Sequence, residues 1–144
     1  MVGTASDGRV ALVTGANHGI GVAAALLIAE SAQRHVARHG EWGRIIGLTS
    51  GEPDGFPEEV SYGAAKAAQV NVTLSASLEL ARFGVTTNVV HPLMTDTGWI
   101  NQPTAAVAQT AGQRIATPHQ VAGVIAYLAS DAADLVTGNV IRLS

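Results

Sequence analysis

The sequence predicts an α/β fold in which a parallel sheet of about four strands is covered by helices on both faces. Hydrophobic residues make up 47% of the 144-residue chain and charged residues 13%, which is typical of a protein with buried strands. Short apolar runs also alternate with longer alanine-rich segments. This alternation favours strands that are joined through helices, and strands joined in this way pair in parallel with right-handed crossovers.

The first predicted strand, residues 9–14, runs into a glycine-rich turn at residues 14–21 and then into an alanine-rich helix. Glycines at this spacing allow a tight turn, and the amides at the helix start can then face a pyrophosphate. The turn alone is weak evidence, because a plain strand-to-helix connection can use the same glycines.

The central segment, residues 43–83, contains a strand, a loop and a helix. Residues 44–49 form an apolar run with two isoleucines, which suits a buried strand that ends at Ser50. A loop rich in glycine and proline follows. Alanine then dominates from Ser61, so we expect a helix that runs to residue 83 and stops at Gly84.

Tyr62 and Lys66 are four residues apart on this helix and therefore share one face. Lys66 is the only lysine of the chain, and Tyr62 is one of two tyrosines. An ammonium close to a phenol favours the phenolate, so such a tyrosine can exchange a proton with an alcohol or carbonyl oxygen. Ser50 could donate a hydrogen bond to the same oxygen. The alternative is an amphipathic helix with a half-buried tyrosine and a lysine whose stem packs on apolar surface.

The last third of the chain supplies two further strands, near residues 85–90 and 138–142. Between them, Thr117 is predicted to cap a helix with Pro118 at its first position and Gln120 three residues after the cap. Residues 94–113 show no clear periodicity, which predicts a loop with some helix.

Composition excludes several classes of function. The net charge of -3 offers no basic surface for nucleic acid, and the absence of cysteine excludes disulfides and thiolate metal sites. No histidine or carboxylate cluster has metal-site spacing, so we expect no metal. The apolar run at residues 22–29 is too short for a bilayer, and residues 1–8 lack the pattern of a signal peptide. We therefore expect residues 1–144 to form a single cytoplasmic domain with no membrane or nucleic-acid partner.

The motifs, taken in order, resemble those of the short-chain dehydrogenases/reductases. The shared patterns are Thr14-Gly15-x-x-x-Gly19-x-Gly21, Ser50 after an apolar strand, Tyr62-x-x-x-Lys66, the run at residues 85–92, and the runs at residues 117–130 and 135–141. They cover most of the chain. The resemblance implies a Rossmann-like fold and an oxidoreductase that moves a hydride between NAD or NADP and an alcohol or carbonyl substrate.

The resemblance also implies a role for each matching residue. Tyr62 matches the family's general acid/base, Lys66 its pKa-lowering and ribose-binding partner, and Ser50 its substrate-orienting hydroxyl. The expected cofactor-binding residues are Thr14, Gly15, Asn17, Gly19, Ile20, Gly21, Tyr62, Lys66 and Thr97. Paired helices of the family often build dimers, and the alanines between Ala64 and Ala76 would allow close helix packing, so a homo-oligomer is a reasonable expectation.

The chain departs from the family between the glycine turn and Ser50. The family has several strands and helices there, whereas this chain has only residues 22–42, so it resembles a member whose central strands are missing. A ribose-reading acidic residue is expected ~20 residues after the glycines, but Arg38, His39 and Gly40 stand there. The alternative function is therefore a non-catalytic remnant or interaction module that has lost the adenosine half of the cofactor site.

Overall fold

The computed structural model describes residues 3–4, 10–15, 34, 37–38, 41–50, 56–98, 100, 110, 112 and 114–144, with backbone only for residues 3–15. The strands are β1 (Gly3–Thr4), β2 (Val10–Gly15), β3 (Gly43–Leu48), β4 (Val85–His91) and β5 (Val140–Arg142). The helices within these ranges are α1 (Val60–Leu80) and α2 (Pro118–Leu128), and short 3₁₀ helices follow at Ala81–Phe83 and Asp131–Ala133.

The strands form one sheet in the order β1-β2-β3-β4-β5. The pairs β2–β3, β3–β4 and β4–β5 are parallel, which confirms the four predicted parallel strands. The strand β1 was not predicted, because two residues are too few to show an apolar or alternating pattern. It pairs antiparallel with β2. The two strands that flank residues 16–42 are direct neighbours, in a register that places Leu12 opposite Ile45.

Helices cover both faces of the sheet, as the sequence predicts. Successive residues of a strand point to opposite faces, and the two adjacent isoleucines of β3 show this directly. Ile45 packs with Ala76 and Leu80 of α1, whereas Ile46 packs with Leu128 of α2 and with Ala133. The described chain therefore builds two apolar layers on one sheet.

The expectation of right-handed crossovers throughout is wrong for one of these two connections. The steps from β3 to β4 and from β4 to β5 run in the same direction across the sheet, yet α1 and α2 lie on opposite faces. The two connections therefore have opposite hands. The handedness rule follows from a strand that feeds directly into its crossover helix, whereas residues 92–117 separate β4 from α2.

The alanines of α1 do not form the single packing face that was expected. Ala76 is buried against β3, whereas Ala64 is exposed. Twelve residues at 100° each separate the two by about a third of a turn. The buried positions of α1 instead are Lys66, Gln69, Thr73, Ala76, Ser77 and Leu80. Self-association of the chain stays a prediction.

A buried arginine fixes the start of β3. The Arg44 side chain is fully buried and donates to Asp134 Oδ1 at 3.1 Å and to the Gly43 carbonyl at 3.0 Å. Its guanidinium lies 4.4 Å from the ring centroid of Trp42, whose indole N–H donates to Asp131 at 2.8 Å. These contacts join the beginning of β3 to the segment that precedes β5.

Helix α2 begins as predicted. Thr117 and Gln120 form a reciprocal capping box, and Pro118 lies in the first turn.

The interior of α2 contains Gly123, and a Cβ added there would meet no atom of the described residues within 4 Å. We expect Gly123→Ala to raise the free energy of unfolding by about 0.8–1.0 kcal/mol, because alanine loses less backbone entropy in a helix. Urea unfolding measures this change. The exposed Ala126 on the same helix supplies the reverse control, Ala126→Gly, which should lower stability equally. A lower midpoint for Gly123→Ala would contradict the expectation.

Within the described ranges, no helix combines the length and apolar character that a membrane-spanning segment needs.

Candidate functional site

The carboxyl ends of the central strands bring the predicted site residues to one edge of the sheet. Thr14 and Gly15, which begin the predicted cofactor turn, lie opposite Gly47 and Leu48 of β3. Ser50 follows two residues after β3 ends. In parallel α/β sheets, ligands bind in the crevice outside this edge. The start of the turn and Ser50 therefore both lie at the edge of the sheet where a ligand would bind.

Ser50 and Tyr62 are in direct contact. The Ser50 Oγ and the Tyr62 hydroxyl are 3.1 Å apart, and either one can donate the hydrogen bond. Both side chains are half-buried. Ser50 is placed by the end of β3 and Tyr62 by the first turn of α1, so two rigid elements converge on this pair. The predicted proximity of these hydroxyls is therefore what the structure shows.

Lys66 extends from α1 beneath the tyrosine and is only 4% exposed. Its Nζ lies 5.5 Å from the centroid of the Tyr62 ring. It donates to the carbonyl of Leu48 at 3.0 Å, a bond that ties the helix to the end of β3. Burial lowers the pKa of Lys66 from its ordinary value, because the charged amine loses its water. The amine thus lies close to the phenol while remaining bound to the strand.

Phe56 completes the surroundings of Tyr62 and was missed in the sequence. The two rings meet edge to face, with centroids 4.9 Å apart and an interplanar angle of 88°. A Cβ on Gly63 would come within 3.0 Å of the Phe56 ring, so the glycine next to Tyr62 makes room for that ring. The available signal was a lone aromatic residue in a loop of glycine and proline, followed by glycine beside the tyrosine.

Gln69 was also missed. Its side chain is 1% exposed, and its Oε1 lies 3.5 Å from Lys66 Nζ. Gln69 follows Lys66 by three residues, a helical spacing that could have identified it as a partner on the same face.

The remaining predicted cofactor residues are not joined to this cluster by any contact among the described residues. Asn17, Gly19, Ile20 and Gly21 lie outside the described residues. Thr97 lies in an exposed turn, in which Gly98 donates its N–H to Asp96 Oδ1 at 3.0 Å.

The position at which an acidic residue would read the cofactor ribose is not part of a strand. Arg34 and Ala37 are helical, and the N–H of Arg38 donates to the Arg34 carbonyl at 3.2 Å, which is a helical spacing. His39 and Gly40 lie outside the described residues. Arg38 itself is exposed in a turn, so it offers neither the charge nor the backbone conformation expected for ribose recognition.

A separate cavity of about 300 Å³ lies between α2, β5 and the segment that precedes α2. Its lining residues are Leu93, Arg114, Ile115, Ala116, Gln120, Val121, Val124, Arg142, Leu143 and Ser144. Ser50, Tyr62 and Lys66 are not among them, so this cavity is distinct from the contact between the two hydroxyls. The described part of the chain also brings no group of three or more histidines and carboxylates together in a way that could hold a metal ion.

A family model described as Enoyl-(acyl carrier protein) reductase matches residues 15–143 of the chain. The chain is 40% identical over 120 residues to an uncharacterized oxidoreductase, YjdA, of Bacillus subtilis, covering 81% of this chain and 48% of YjdA. The chain therefore spans about half the length of the curated relatives that it matches.

Two solved structures are also similar. The acetoin dehydrogenase YohF of Salmonella typhimurium superposes with a TM-score of 0.75 at 28% identity, over 95% of this chain and 64% of YohF. The landomycin C-6 ketoreductase LanV, solved with NADP and rabelomycin, superposes with a TM-score of 0.64 at 33% identity, over 80% of this chain and 45% of LanV. Together with the family match, these similarities show that the chain belongs to the short-chain dehydrogenase/reductase family of oxidoreductases.

Proposed function

We propose that the chain is an NAD(P)-dependent oxidoreductase that transfers a hydride between a nicotinamide cofactor and a small alcohol or carbonyl substrate. The observation that carries the proposal is the 3.1 Å contact between the Ser50 and Tyr62 hydroxyls, with the buried Lys66 amine 5.5 Å from the Tyr62 ring. Two hydroxyls at this distance can bind one substrate oxygen, and a tyrosine placed in this way can exchange a proton with it.

Each residue has a distinct role in the proposal. In the reductive direction, Tyr62 gives its proton to the carbonyl oxygen as the carbon receives a hydride, which a bound nicotinamide supplies. In the oxidative direction, Tyr62 takes the alcohol proton. Ser50 donates a hydrogen bond that orients the same oxygen, and the Phe56 ring holds the phenol from its side. Catalysis by one positioned acid/base of this kind contributes ~10²–10⁴-fold to a rate.

The cofactor assignment is supported by the edge of the sheet. Thr14 and Gly15 end β2 at the edge of the sheet where Ser50 follows β3, so the residues that would hold a dinucleotide begin beside those that would bind the substrate oxygen. The Lys66 ammonium has three N–H donors. Two have acceptors among the described residues, and the third is proposed to bind a ribose hydroxyl. LanV was solved with NADP, and its name and that of YohF describe a ketoreductase and an acetoin dehydrogenase, which agrees with an alcohol or carbonyl substrate.

A second candidate function is favoured by one observation. The region where an acidic strand would read the adenosine ribose is helical at Arg34 and Ala37. A chain without that strand could be a non-catalytic remnant or interaction module that keeps the serine, tyrosine and lysine but does not bind the adenosine half of the cofactor.

Thermal unfolding in the presence of NADH, NADPH, ADP and nicotinamide mononucleotide separates the two candidates. A ligand present at about a hundred times its dissociation constant stabilises the fold by roughly 2.7 kcal/mol, so the oxidoreductase should unfold at a clearly higher temperature with NADH or NADPH. The comparison between the two dinucleotides shows which is preferred. A higher unfolding temperature with the mononucleotide but not with ADP would indicate that the adenosine half of the cofactor site has been lost. An unchanged unfolding temperature with both dinucleotides would contradict the enzymatic proposal.

A further inference from the structure

The amine of Lys66 is held by two oxygen acceptors among the described residues. One is the Leu48 carbonyl of β3 at 3.0 Å, and the other is the amide Oε1 of Gln69, one turn further along α1, at 3.5 Å. Lys66 is 4% exposed and Gln69 1% exposed, so water has little access to either side chain. A buried ammonium needs hydrogen-bond acceptors to offset its loss of hydration.

Thr73 contacts both the backbone of Gln69 and the glycine of β3 that faces α1. Thr73, which is fully buried, donates its hydroxyl to the backbone carbonyl of Gln69 at 2.8 Å and not to the side-chain amide. A Cβ on Gly47 would stand 3.1 Å from the Thr73 hydroxyl, so the bare glycine of β3 lets α1 approach the strand closely. The close approach brings Lys66 within reach of the Leu48 carbonyl.

The described elements packed around the amine carry few other titratable groups near it. Tyr62 precedes it on α1. Arg44 of β3 lies on the opposite face of the sheet, where it pairs with Asp134. His91 ends β4 two residues after Val89 and so shares the face covered by α1. The described surroundings of Lys66 thus contain no carboxylate that would neutralise it.

We infer that Gln69 is a positioning residue that holds the Lys66 ammonium beside Tyr62 without cancelling its charge. An amide oxygen accepts a hydrogen bond from the ammonium and favours the charged form, yet it carries no net charge. A glutamate at the same position would bind the amine more strongly but would neutralise its field at the phenol, whereas an apolar side chain would leave the amine with the Leu48 carbonyl alone. The effect of this positioning on proton transfer by Tyr62 rests on the proposed function.

The titration of Lys66 tests this inference without cofactor or substrate. Because Lys66 is the only lysine, protein labelled with ¹³C-lysine gives one side-chain Cε signal by NMR. We expect Gln69→Leu to lower the titration midpoint of that signal by about one pH unit, because the charged form loses an acceptor. Gln69→Glu should raise it by about one pH unit or more, because a carboxylate favours the ammonium.

The control is Ser77→Ala, which removes another buried polar group of α1 whose hydroxyl donates to the Leu74 carbonyl at 2.6 Å, well away from Lys66. It should leave the Lys66 midpoint unchanged. Equal midpoints in wild type and both Gln69 variants would overturn the inference. A shift in the same direction in both variants would also overturn it, because that would indicate a general packing effect.

The outcome is separable from that of the proposed function. If neither dinucleotide raises the unfolding temperature while the Gln69 variants move the Lys66 midpoint in opposite directions, the proposed function fails and the positioning role stands. If a dinucleotide raises the unfolding temperature while the Lys66 midpoints stay equal, the proposed function stands and the positioning role of Gln69 fails.

Discussion

Tyr62→Phe is expected to lower kcat/KM by ~10²–10⁴-fold, the usual contribution of a positioned general acid/base. The change removes one oxygen atom and with it the proton that the substrate oxygen exchanges, while the ring keeps its edge-to-face contact with Phe56. The cofactor-dependent rise in unfolding temperature should largely persist, because the variant keeps Lys66 and every other expected cofactor-binding residue. Steady-state kinetics together with thermal unfolding measure both effects.

The chain offers a matched control in its second tyrosine. Tyr127 lies on α2 and is 48% exposed, and Tyr127→Phe removes the same atom away from Ser50 and Lys66. Turnover should be unchanged in that variant. If both variants lost activity equally, or if Tyr62→Phe kept wild-type activity, the assignment of Tyr62 as acid/base would be wrong.

Much of the fold could be predicted because its signals are local. The apolar runs that became β3 and β4 were located to within one residue, since buried parallel strands need continuous apolar or β-branched side chains. The glycine at position 84 correctly marked the end of the central helical segment. The helix itself ends at Leu80 and tightens into a 3₁₀ turn, a detail that depends on packing beneath the helix more than on propensity.

The contacts that sequence reasoning missed are those that depend on three-dimensional placement. Arg44 belongs to a run that reads as apolar, yet it is buried because Trp42, two residues before it, supplies a ring face and the distant Asp134 supplies a carboxylate. The side on which α2 packs is likewise set by a long connection whose path has no periodic signal. Neither feature can be inferred from residues close in sequence.

The candidate site likewise has one part that follows local sequence rules and one part that depends on three-dimensional placement. The spacing of Tyr62 and Lys66 on one helix face is a local rule and is what the structure shows. The contact of Tyr62 with Ser50, in contrast, requires β3 and α1 to converge across the intervening loop. The resemblance to known enzymes supplied that expectation. Gln69 obeys the same local spacing as Lys66, but a glutamine in a helix is usually a solvent-facing residue, so its burial was visible only in the structure.

Gly84→Ala is expected to cause the largest loss of stability among substitutions of the glycines whose surroundings the structure describes, at least about 3 kcal/mol. Gly84 has φ +67°, a left-handed conformation that costs an L-residue roughly 1–2 kcal/mol. A Cβ there would also overlap the backbone carbonyl of Glu41, which belongs to the segment entering β3. The N–H of Gly43 donates to the Gly84 carbonyl at 3.1 Å, so the two backbones are held together and the clash cannot be relieved by moving a side chain.

Gly112→Ala isolates the contribution of the clash. Gly112 has the same φ of +67°, but a Cβ there would meet no atom of the described residues within 4 Å. It should therefore show the conformational cost alone, roughly 1–2 kcal/mol, and urea unfolding of both variants gives the difference directly. Since a domain of this size is stable by only about 5–15 kcal/mol, Gly84→Ala should remove about a fifth or more of that stability and lower the urea midpoint clearly. Equal destabilisation by the two substitutions would mean that the carbonyl of Glu41 can move away, and that the start of β3 is not fixed by the 3₁₀ turn that follows α1.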